Sequence, residues 1–107
     1  MTNYDAIASS LYPYDVDNLV IEKYCVDMEV AMEDYYESSM REKIARITVS
    51  ILRDILYNLS SESNAGYSLS YDTNKLKERI YNIAKDNGFS DIASEFNPRP
   101  KVYINCD

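Results

Sequence analysis

The sequence has no histidine and no tryptophan, and only two glycines, three prolines and two cysteines in 107 residues. Each shortage removes a class of chemistry. Without histidine there is no Ser–His or Cys–His nucleophile pair. The side chain best suited to proton transfer near neutrality, and the commonest metal ligand, is missing too. With Gly66 and Gly88 as the only glycines, no Gly-rich loop can cradle a phosphate. Cys25 and Cys106 sit near opposite ends. They make neither a zinc set nor a disulfide framework, which points to a reducing cytoplasm. Whether the two meet is not legible. No apolar run approaches the roughly 18 residues that span a membrane. The opening residues MTNYDAIASS lack the basic-then-apolar order of a signal peptide. The expectation is therefore no membrane and no secretory leader. The sequon Asn58-Leu59-Ser60 is then read as chance.

Positive charge is scarce as well, and unevenly so. Eighteen acids face eleven bases, a net charge of −7. Residues 1–40 hold nine of the acids and one base, Lys23, a local net charge of −8. Residues 41–107 hold nine acids and ten bases, a net charge of +1. Such a chain is a poor non-specific nucleic-acid binder, since that binding needs Lys and Arg on phosphates. Disorder is not expected either, because 46 % of residues are apolar. A chain this long buries about 60–70 % of its unfolded surface, enough for one modest core. One domain, 1–107, is expected.

The local pattern is mostly helical. Asn3 can cap a helix from about Tyr4 to Leu11, stopped by Pro13. Asp15 or Asp17 caps a second helix to about Cys25, with Val16, Leu19, Val20 and Tyr24 on one face. Residues 27–37 carry five acids and no apolar stripe; a short helix and an irregular connection both fit. Ser38 or Ser39 opens the strongest helix, about Met40 to Leu59. Its stripe of Ile44, Ile47, Thr48, Ile51, Leu52, Ile55 and Leu59, widened by Ala45, Val49 and Leu56, covers about half the circumference. Such a helix is central. Residues 60–66 read as a loop, and Tyr67–Tyr71 alternates like a strand. Asp72 caps a helix from about Thr73 to Asp86, with Leu76, Ile80, Ile83 and Ala84 inward. Asn87-Gly88 ends it in a left-handed turn with Phe89 as the apolar contact. Ser90 caps a short helix to Phe96, and residues 101–106 alternate again. The fold class is thus mostly α: four or five helices around the helix at about 40–59, with one or two short strands at about 67–71 and 102–106.

The chemistry-bearing candidates are few. No motif selects a nucleophile, cofactor or metal, so an enzyme is not expected. The acids Asp27, Glu29, Glu33, Asp34 and Glu37 lack the alternating ligands and turn glycine of a calcium loop. They read as an acidic surface. Tyrosine is abundant, eleven of thirteen aromatics. It pairs apolar area with a polar tip and is enriched at interfaces. Tyr35 and Tyr36, flanked by acids, and Tyr67, Leu69 and Tyr71 on the strand segment are interface candidates, with the core edge as the alternative.

A long apolar helix, then SSESNAGYSLSYD over residues 60–72, then a second amphipathic helix resembles the small phage head–tail connector proteins, also called head-completion or neck adaptor proteins. The two short N-terminal helices and the extended tail agree with that order. The resemblance implies a non-enzymatic, all-α structural subunit without cofactor. Copies form a ring on the portal and join head to tail, and a monomer is one expected state of the isolated chain. Partners would be portal and tail or neck proteins of a phage or prophage, with no direct sequence-specific nucleic acid and no membrane. The place is the host cytoplasm during assembly, then the virion. The resemblance also implies neighbour contacts through Gly66–Tyr71 and the tail, Val102, Tyr103 and Ile104 included. A ring of head-to-tail subunits needs two different surfaces, and the charge split supplies them. The alternative is an acidic protein-binding module, a DNA mimic or regulator, suggested by the charge of residues 1–40.

Overall fold

The computed structural model describes residues 1–61 and 73–97, with 59–61 described through their backbone alone. Five helices follow in order: α1 (Asn3–Leu11), α2 (Asn18–Asp27), α3 (Arg41–Ser61), α4 (Thr73–Asp86) and α5 (Ser90–Glu95). A 3-10 turn, Ser38–Met40, leads into α3. The architecture is mostly helical, as the periodicity predicts. Both expected strands, at about 67–71 and 102–106, lie outside the described residues. Among the described residues the only β pairing is a single antiparallel bridge between Thr2 and Tyr35.

The wide apolar stripe makes α3 the centre. Ile44, Ala45, Ile47, Thr48, Val49, Ile51, Leu52 and Leu56 are buried, and Ile55 packs at the edge. Buried Thr48 needs no outside partner, since its hydroxyl donates to the Ile44 carbonyl one turn back at 2.9 Å. Helices α1, α2 and α4 pack on α3, through Ile7 and Leu11, Ile21 and Cys25, and Leu76, Ile80 and Ala84. Helix α5 packs on α4. Each large aliphatic buried this way contributes about 1.5–3 kcal/mol.

Several local expectations need correcting. Thr2, not Asn3, caps α1. The Thr2 hydroxyl accepts the Asp5 N–H and the Asp5 carboxylate accepts the Thr2 N–H, both at 3.1 Å. These bonds hold the Asp5 carboxyl below its usual range. Asn3 is buried instead, and its side-chain amide donates to the Ala31 carbonyl at 2.9 Å. Of the two aspartates offered as caps for α2, Asp17 does it, accepting the Leu19 N–H at 2.8 Å. The buried face of α2 is Ile21 and Cys25, while Leu19 is 71 % exposed. Apolar residues line two sides of this helix, so period alone had two solutions, and the stripe drawn through Val16 included a residue outside the helix. Ser38 opens the 3-10 turn that runs into α3, and Glu37 precedes that turn without a side-chain bond. Phe89, not Ser90, precedes α5. Burial of Phe89 fixes the chain there, and the Ser90 N–H turns back to the Gly88 carbonyl at 3.0 Å.

Two helices end in the same hydrogen-bonded turn. After α4, the Phe89 N–H reaches the Ala84 carbonyl at 2.8 Å and the Gly88 N–H reaches Lys85 at 3.3 Å, with Gly88 at φ +76°. After α2, the Val30 N–H reaches Cys25 at 2.8 Å and the Glu29 N–H reaches Val26 at 3.1 Å. Here the left-handed residue is Glu29, at φ +59°. Both turns satisfy carbonyls that the helix leaves open and send an apolar residue back to the core.

Candidate interaction surface

The segment between α2 and α3 is an irregular connection, one of the two forms its composition allows. It lies along the start of α1. The Asn3 and Tyr4 N–H groups donate to the Asp34 and Met32 carbonyls at 2.9 and 3.0 Å, and the Tyr36 N–H donates to Met1 at 2.9 Å. Helix N-termini leave such N–H groups unpaired, so α1 and the connection satisfy one another. The side chains are thereby sorted. Met32, Val30 and Tyr36 turn to the core. Glu29, Glu33, Asp34 and Glu37 are exposed and make no ion pair among the described residues. Asp27 is also exposed and pairs with Lys23 at 3.1 Å.

The sequence-nominated tyrosines separate here. Tyr35 is 77 % exposed, standing among the acids. Tyr36 is half-buried against the core, so its ring sits at the core edge. Gly66, Tyr67, Leu69, Tyr71, Val102, Tyr103 and Ile104 lie outside the described residues, as does Cys106. Cys25 is buried, and burial pushes its thiol up.

Apolar side chains are also left outside in this part of the chain. Seven large hydrophobics are exposed among the described residues, and six of them, Met1, Tyr12, Leu19, Val20, Val26 and Tyr35, precede residue 41. Between α2 and α3 runs a groove of about 350 Å³. Val16, Val20, Ile51 and Ile55 line it together with Asp15, Asp17 and Asp54. An apolar trough with an acidic rim is a surface suited to contact and was not nominated from the sequence. Its members come from two helices and the turn before one of them, so no single window contains it.

Two polar links tie the helices near this groove. The Tyr24 hydroxyl on α2 donates to the Asp54 carboxylate on α3. That bond, with partial burial, raises the phenol from its ordinary 10.0 to about 12. Beside Asp54, Arg53 donates to Glu95 of α5 at 3.2 Å, and the Tyr57 hydroxyl one turn on donates to the same carboxylate at 2.9 Å. Arg46 of α3 stacks over the Phe89 ring at 4.1 Å. Arg79 of α4 donates to the Tyr12 carbonyl at 2.6 Å and to that of Ser10, closing the end of α1. Arg41 and Lys43 stay exposed without an ion pair among the described residues.

A cleft of about 770 Å³ opens between the ends of α3 and α5 and the start of α4, with Leu56 and Phe96 among its lining residues. Among the described residues no three Cys, Asp or Glu side chains gather as a metal-holding group. Nor is any described helix long and apolar enough to cross a membrane. No curated protein and no solved structure matches the chain. A family model does match, over residues 1–105, and the chain belongs to that family, a family of unknown function designated DUF6706.

Proposed function

We propose that this chain is a non-enzymatic structural subunit of a phage or prophage head–tail connector, docking on the portal ring and joining head to tail. The observation that carries the reading is the order of elements around one dominant helix. Two short helices precede the 21-residue α3, and the 14-residue α4 follows it. That is the order on which the resemblance to connector proteins rests. The concentration of exposed apolar side chains and of net negative charge in residues 1–40 supports it. Subunits in a ring meet through unlike surfaces, and an acidic lining lets DNA pass without adhering. The place of action on this reading is the host cytoplasm during assembly, then the virion.

The test is co-expression with the portal protein encoded beside its gene. Co-purification, with a ring of this chain on the portal in electron micrographs, is the expected result. Separate elution of the two proteins and a bare portal would overturn the reading.

A second reading, an acidic module that occupies a DNA-binding protein, is favoured by one observation: four carboxylates exposed on a single connection, without an ion pair among the described residues. It predicts salt-sensitive capture of a basic DNA-binding protein. Unchanged retention of DNA by candidate proteins in the presence of this chain would remove it.

A further inference from the structure

We propose that the acidic groove between α2 and α3 receives the Lys77–Tyr81–Lys85 flank of α4 from a second copy of this chain, head to tail. The inference rests on the connector reading for its use and names the surfaces through which neighbouring copies would meet. Both surfaces exist in the single chain and are complementary. The groove offers an apolar floor, Val16, Val20 and Ile55, and the carboxylates of Asp15 and Asp54 at its edge. Asp15 has no ion pair among the described residues. Val20 and its exposed neighbour Leu19 continue the apolar strip outward.

The complementary surface is Lys77, Tyr81 and Lys85. These residues are spaced four apart on α4 and so form one stripe, spanning about 12 Å at 1.5 Å per residue. Leu76, Ile80 and Ala84, each one residue earlier and so about 100° around the helix, are held in the core. Lys77 and Lys85 are exposed, and neither forms an ion pair among the described residues. The Lys85 ammonium lies 6.0 Å from the centre of the half-exposed Tyr81 ring. An aromatic ring flanked by two ammonium groups matches an apolar trough flanked by carboxylates. Because the two surfaces differ, each copy uses one and leaves the other open. Repetition of that contact makes a ring when the rotation closes.

The test uses the full chain and its self-association, followed by sedimentation and by concentration-dependent amide shifts up to about 1 mM, the range of weak contacts. The wild type is expected to associate, less so as salt rises. Lys77→Glu with Lys85→Glu in one chain, or Asp15→Lys in another, should each weaken association about tenfold or more. All three positions are exposed, so folding is retained and is checked by circular dichroism. Mixing the two variants should restore association, since each supplies the charge the other has reversed. A wild type that stays monomeric throughout, variants that associate as well as the wild type, or a mixture that stays apart would each overturn the proposal. Portal binding is read separately. A chain that binds the portal but never itself refutes this inference alone, and one that associates but ignores the portal refutes the connector reading alone.

Discussion

Residues 1–40 and the α3–α5 region spend their apolar side chains differently. From α3 onward nearly every large aliphatic described is inside, and Tyr57 is the one large hydrophobic exposed among the described residues there. Before α3, six are outside, in the part that also carries the −8 charge. The helix ends repeat the contrast. The same turn has Gly88 after α4 but Glu29 after α2, although a left-handed backbone disfavours any residue with a Cβ. The later region is arranged for a core. The earlier one packs Ile7, Leu11, Ile21 and Cys25 on α3, but its connection to α3 is held by backbone bonds and by Asn3, which leaves the acidic side chains there free to form a surface.

The sharpest break of this contrast is Ile51→Asp. It places an unpaired charge on a residue 1 % exposed and should cost more than about 4 kcal/mol, abolishing the cooperative melt. Asn3→Ala removes the donor to Ala31 and should cost about 1–2 kcal/mol. Hydrogen exchange should rise first at the Asn3, Tyr4 and Tyr36 amides, while α4 keeps its protection. The two turns should respond with opposite signs. Gly88→Ala, where a Cβ meets nothing within 4 Å, should cost about 1 kcal/mol from backbone strain alone. Glu29→Gly should stabilise by about 0.5–1 kcal/mol; chemical denaturation measures both. Leu19→Ser should change stability by less than about 0.5 kcal/mol, in contrast with Ile51.

The Tyr24–Asp54 link has a pH signature. Folding favours the neutral phenol, because its pKa rises from 10.0 to about 12. Its contribution is therefore complete below pH 10 and is lost as pH rises toward 12. Ultraviolet titration should show one tyrosine ionising at about 12, and that step should vanish in Tyr24→Phe. A titration unchanged by the substitution would show that the bond does not hold in solution.

What was legible in the sequence follows the same division. The α3 stripe, the inward face of α4 and the Gly88–Phe89 turn are local patterns reinforced by burial, and each lies where periodicity or turn chemistry puts it. The cap of α1 lies one residue before the one its sequence suggests, because Asn3 and Thr2 are both good caps and the distant Ala31 carbonyl takes the Asn3 side chain. The face of α2 was misread because Leu19 and Val20 are as apolar as Ile21 and Cys25. The groove was not visible at all, since it joins Val16 and Val20 to Ile55, far along the chain. The −8 charge of residues 1–40 was legible from the first count; that their carboxylates stand exposed required the fold.

The most direct measurement of whether this region is the working surface is carboxylate footprinting by carbodiimide, on the free chain and on the chain co-purified with its portal. The account predicts that labelling of Asp15, Glu29, Glu33 and Asp34 falls several-fold in the assembly, while the exposed Asp91 on α5 changes less. Equal labelling of the acidic connection in both states would contradict it.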